Sequence, residues 1–181
     1  MNTSKISGVV PAALWAQLSN QTSGVNPRLV ALADSQAYKF DAFEIDWSDT
    51  STNFIFGRID PGLLQESSVF TFPMVTIDIG ELADRGTDPR RIKTATFSGL
   101  VIGLVEVHHT WESEGVLADF GALVNATGDA ILNCLNDHEV QQWPGNLLWN
   151  GRARMVPGPL KMGGQGWLRT TQFLCPFELA V

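Results

Sequence analysis

Glu106 and His108 stand two residues apart in the stretch FSGLVIGLVEVHHTW. On a β-strand two such residues share a face. A carboxylate beside an imidazole is a pair that can orient a general base, and Glu112 and Glu114 follow closely. The same residues equally describe the wet end of a strand. His108 and His109 are adjacent and must face opposite ways, which makes them a poor metal pair. Cys134 and His138 are four apart in a helical stretch and could share a face. Two ligands do not make a site, and no CxxC or HExxH accompanies them. The GxSxG elbow and the GxxxxGK[ST] phosphate loop are both absent. Gly163, Gly164 and Gly166 form a glycine-rich run, but it lacks a Lys-Ser pair and precedes a strand, not a helix. The expectation from chemistry is therefore no catalytic residue, no cofactor and no metal ligand.

The elements that would position these residues are read from periodicity. Val101, Gly103, Val105, Val107, His109 and Trp111 share one face of a long strand. Both faces are apolar until Val105, so this is an interior strand, covered by a helix on one face and by something else on the other. After ESEG comes a long helix with Leu117, Phe120, Val124, Ile131 and Leu135 along one side. Gly128 lies mid-helix and points to close packing or a small bend. Phe43, Ile45 and Trp47 alternate with Glu44 and Asp46 as a half-buried strand should. FTFPMVTIDI is a further strand, in which Pro73 demands an edge or a bulge. Residues 80 to 93 are the clearest loop, joining two strands as an arm. Asn150-Gly151 marks a hairpin turn, PGPLKMGGQG a second loop, and WLRTTQFLCPFELAV a last strand.

Upstream, Pro11 opens a short helix and Asn26-Pro27 caps a second, RLVALADSQAY. This polar region reads as a peripheral arm. The expected fold is one α+β domain over 1–181, an antiparallel or mixed sheet packed against one long helix. Residues 1–39 form a helical N-terminal extension, 40–181 the sheet-and-helix core, and a loop or hairpin projects.

The chain has 181 residues, enough for one good core. Its formal charge is −7, which disfavours phosphate-backbone binding as the main role. Only 17% of residues are charged, as on a surface partly covered by neighbours. The two cysteines fall at apolar positions and suggest buried thiols. The N-terminal apolar run is too short and interrupted for a signal peptide, and no window approaches a membrane span. The six tryptophans suit core packing or interface anchors. A nucleic-acid platform needs basic flanks, which only the C-terminal ones have, in Arg152, Arg154 and Arg169.

Arg85, Arg90, Arg91 and Lys93 bring four of the twelve basic residues into one loop. Glu44, Asp46 and Asp49 mark an acidic segment. Opposite charge makes the two a candidate pair of contact surfaces between neighbouring subunits.

The order of parts, from FPMVTIDIGELADRG through VEVHHTW and the long helix to WLRTTQFLCPFELAV, resembles the tail terminator family of long-tailed bacteriophages and related neck and tail-completion proteins. In that family a strand closing on a tryptophan runs into the main helix, as Trp111 does towards Val116. The resemblance covers roughly Phe70 to Val181. It implies a non-enzymatic virion protein, assembled in the host cytoplasm, that forms a ring, typically a hexamer. The ring would end tube growth and meet the tail tube protein and the head–tail connector, and DNA would pass its lumen without specific binding. It implies no cofactor and no membrane. The alternatives are a head-completion or connector-adaptor protein, a small enzyme using Glu106 and His108, or a monomeric binding module using the tryptophans.

Overall fold

The computed structural model describes residues 3–35, 40–41, 43–48, 51–66, 68–84, 98–112, 116–137, 143, 147–163 and 166–180. Among these residues, four helices and six strands follow in the order α1 (Thr3–Leu18), α2 (Val25–Asp34), β1 (Phe54–Phe56), α3 (Pro61–Glu66), β2 (Met74–Asp84), β3 (Ser98–Trp111), α4 (Leu117–Asn136), β4 (Leu147–Trp149), β5 (Arg154–Gly163) and β6 (Gly166–Ala180). The sheet runs β1-β2-β3-β6-β4, with β5 also on β6. The β1–β2 pair is parallel and the other four described pairs are antiparallel, so the sheet is mixed.

β3 is its centre. It pairs along its whole length with β6, from Ser98 opposite Ala180 to Trp111 opposite Trp167. On its other side it pairs with β2, with a register shift between Ile79 and Glu81. A Cβ on Gly80, between them, would lie 3.3 Å from the Ile102 carbonyl oxygen, so the bulge is a close backbone approach. β2 continues to Asp84, so the first residues of the predicted loop are strand, and 85–93 lie outside the described residues. Pro73 stands just before the ladder, where its missing N–H costs no bond.

Helices α1, α2 and α4 lie on one face. Val75, Ile77, Val101, Val105, Phe173, Cys175 and Phe177 point into it and are buried. Val10, Leu14 and Leu18 of α1, Val25 and Leu29 of α2, and Ile131 and Leu135 of α4 complete the same cluster. The N-terminal helices are thus core and not a peripheral arm. Their polar residues disguise this, because a helix needs only one apolar stripe to be buried. Pro11 lies inside α1 rather than opening it. α2 is capped at Gly24, where a Cβ would stand 2.3 Å from the Asn20 carbonyl oxygen. Asn26 therefore does not cap the helix. Its side-chain amide donates to the Ile45 carbonyl and accepts from the Ile45 N–H, each at 3.0 Å. The predicted strand at 43–47 has no ladder partner among the described residues and is held at Ile45 by that side chain. Its alternation survives, with Ile45 and Trp47 buried and Glu44 and Asp46 exposed.

β4 and β5 run one after the other along the same side of β6. Asn150-Gly151 is not a hairpin turn but a break in one edge ribbon, with Gly151 at φ +111°. Asn136 of α4 pins the break, accepting from the Ala153 N–H at 2.8 Å and donating to its carbonyl at 3.3 Å. The hairpin lies instead between β5 and β6, where Gly163 faces Gly166.

Candidate interaction surfaces

The opposite face of the sheet carries a smaller apolar cluster at one end. There α3 brings Leu64 over Met74 and Leu168. His108 belongs to this end and is 1% exposed. Its Nδ1 lies 2.9 Å from Thr170 Oγ1, while its Nε2 is buried without a partner among the described residues. Burial lowers its pKa to about 4, so the ring is neutral near pH 7. Glu106, its neighbour on the strand face, accepts a 2.7 Å hydrogen bond from Gln172. A cleft of about 350 Å3 opens above them, bordered by Arg58 and Lys161. The Nε2 atom is buried beneath the cleft that His108 helps to line. The pair that sequence spacing singled out is brought to one cleft, with Glu106 bonded to Gln172 and His108 to Thr170 and no hydrogen bond between the two among the described residues.

His109 points to the helix face. Thr127 Oγ1 uses its proton on the Leu123 carbonyl at 2.8 Å. The 3.3 Å contact with His109 must then be donated by His109 Nε2–H, which leaves Nδ1 bare. Burial first, then the positive neighbours His108 and Arg169, hold its pKa near 3. Burial raises the Cys134 thiol to about 11 and pushes Cys175 further up, so both are inert protonated thiols. His138 lies outside the described residues. Among the described residues no three His, Cys, Asp or Glu side chains gather as metal ligands.

Of the charged interface candidates, Glu44 and Asp46 are exposed beside a groove shared with Trp15, Asn26 and Trp47. Asp49 and the basic set Arg85, Arg90, Arg91 and Lys93 lie outside the described residues. The tryptophans mostly pack on other rings. Trp143 stacks on Trp149 at 5.1 Å with Phe177 edge-on to both, Trp47 tilts against Phe54, and Trp111 against Trp167.

Two surfaces stand out that sequence spacing missed. One is β5. Along the described sheet its only partner is β6, and Met155, Val156 and Met162 are exposed, Met162 by 75%. Arg152, Arg154 and Lys161 are exposed with them, and residues 150–163 contain no Asp or Glu. The other is a cleft of about 1040 Å3 at the start of α4. Phe43, Phe72, Trp111 and Phe120 line it, together with Asp41, Glu112 and Asp119. Val116 and Leu117 stand at this end, 62% and 56% exposed. The signal for β5 was its cationic and apolar composition, hidden by the prolines and glycines that made it look like a loop. No described helix is long and apolar enough to cross a membrane.

No family model matches the chain, and no curated protein matches it.

Proposed function

We propose that the protein is a non-enzymatic virion subunit that forms a ring at the head-proximal end of a phage tail. There it ends tube growth and joins the tail to the head connector. The observation that carries this reading is the exposure of β5, a long sheet edge with apolar side chains on both of its faces. A chain with a complete core that still exposes such an edge is suited to contact with neighbours. The likeness in element order to tail terminators supplies the setting. The basic set Arg85, Arg90, Arg91 and Lys93 meets Glu44, Asp46 and Asp49 of the adjacent subunit, as unlike surfaces do in closed rings.

Electron microscopy of the purified protein, alone and with tail tubes, tests the proposal. The expected result is a ring that seats on tube ends and stops their elongation. A ring that binds connector complexes but not tubes places the protein as an adaptor instead. A particle that stays monomeric at high concentration and in the presence of tubes defeats both.

A further inference from the structure

We infer that the β5 edge of one copy docks into the acidic aromatic cleft at the start of α4 of a second copy. This rests on the ring reading and adds a second pair of surfaces to the contact between its subunits.

The chemistry of the two surfaces is complementary. The cleft holds three exposed carboxylates, Asp41, Glu112 and Asp119, and no Lys or Arg is among its described lining residues. β5 and the stretch just before it, residues 150–163, hold three exposed cations, Arg152, Arg154 and Lys161, and no carboxylate. That excess is unusual in a chain of net charge −7. The apolar parts match as well. The cleft offers aromatic rings, and the strand offers Met155, Val156 and Met162. Methionine adapts to irregular apolar surfaces and makes favourable contacts with aromatic rings. Trp111 and Phe120 lie 6.3 Å apart between centroids, forming part of an aromatic wall.

The mode of contact follows from the strand's own residues. Pro157 and Pro159 lack an N–H, so β5 cannot extend the sheet by an unbroken ladder with another strand. Recognition must pass through side chains. The same chain cannot fill its own cleft with β5, because the strand is bonded to β6, and β6 separates it from the β3 wall of the cleft. Two unlike surfaces on one chain make a heterologous contact, which closes into a ring when the rotation allows.

Two charge-reversed variants test the pairing. One carries Arg152→Glu, Arg154→Glu and Lys161→Glu; the other carries Asp41→Lys and Glu112→Lys. All five positions are exposed, so each variant should keep the circular dichroism spectrum and melting temperature of the parent to within a few degrees. Sedimentation velocity is expected to show an oligomer for the parent. Each variant alone should dissociate at concentrations at least about 100-fold higher than the parent does, the scale of loss when close charge pairs are reversed. An equimolar mixture of the two should reassemble, because each reversed surface then finds a reversed partner. Parent-like assembly of either variant alone, a monomeric parent, or a mixture that stays dissociated overturns the pairing. The tail-tube assay keeps the two ideas apart. Variants that still assemble and still cap tubes remove the pairing and leave the ring reading. A parent that assembles through these surfaces but ignores tubes removes the tail role and leaves the pairing.

Discussion

Gly103 is where the first helix meets the centre of the sheet. A Cβ there would stand 2.7 Å from Leu14 Cδ1 and 2.9 Å from Val10 Cγ1. Both side chains are fully buried, so neither can swing into solvent. Gly103→Ala should destabilise the protein by about 1–3 kcal/mol, as overpacking does, and urea denaturation would measure it. Loss of less than about 0.5 kcal/mol would mean that α1 can shift away from β3. The two buried histidines set a second residue-scale expectation. Both have folded pKa values below the free value of 6.5, at about 4 and about 3. The unfolded chain therefore binds protons that the folded chain does not as pH falls below about 6.5. Stability is complete above that pH and declines below it, by about 1.4 kcal/mol per pH unit for each titrating ring. The decline continues to about pH 4 for His108 and about pH 3 for His109. Replacing both by glutamine should flatten the stability profile between pH 6.5 and 4, relative to the parent. An unchanged slope would show that other groups govern acid unfolding.

At the scale of the element, α4 shows what periodicity can and cannot tell. Phe120, Val124, Ile131 and Leu135 are buried as the spacing predicts, but Leu117 stands exposed at the cleft. Phe120 is 7% exposed and packs near Trp111 and His109. Phe120→Ala should cost about 3 kcal/mol in thermal or urea unfolding, whereas Leu117→Ala should cost less than about 0.5 kcal/mol, as surface changes do. Equal losses would place both residues in the same packing layer. Gly128 is explained by a neighbour that spacing could not show. A Cβ on it would lie 3.0 Å from the sulfur of Met155, which belongs to β5. That sulfur ends a flexible, part-exposed chain, so Gly128→Ala should stabilise the fold by up to about 1 kcal/mol through helix propensity. A loss instead would mean that Met155 is fixed where it lies.

The α+β class, the central strand, the long helix and the final strand were legible because each carries a long, regular apolar pattern. What escaped was local. Asn26 and Asn136 each clasp one distant residue through both groups of a side-chain amide, and so hold backbone that lies off the described ladders. An asparagine in a sequence gives no sign of a partner 17 or 19 residues away. Gly151 and the bulge at Gly158 sit inside a ribbon whose turn residues looked like loop ends. For the candidate surfaces, the exposed Glu44 and Asp46 were legible from alternation. The cleft was not, because its walls come from residues far apart in the chain.

At the scale of the whole molecule, the low share of charged residues and the exposed β5 edge are the two features on which the proposed assembly rests. The basic loop gives a separate test. Arg90→Glu with Arg91→Glu should leave the melting temperature unchanged if, as the sequence suggests, these charges belong to a loop that contributes little to the core. It should lower the yield of rings and their capture by tail tubes. Single exposed ion pairs are worth about 0–1 kcal/mol, so the effect must come from repetition around the ring. Unchanged yield and unchanged tube capture would assign these arginines to solvation alone.

The position of β3 carries a consequence for how the protein is made. Its stretch from Gly99 to Val105 holds no charge, and one flank is closed by β2, its neighbour in the chain. The other flank waits for β6, whose Ala180 must find Ser98. Hairpins close early and distant pairings late. During that interval the unfinished chain exposes a bare, apolar strand flank that another unfinished copy can capture. Yield on refolding should therefore fall as protein concentration rises. Substitutions that delay the arrival of β6 should appear first as insoluble material, before any loss of stability in the molecules that do finish.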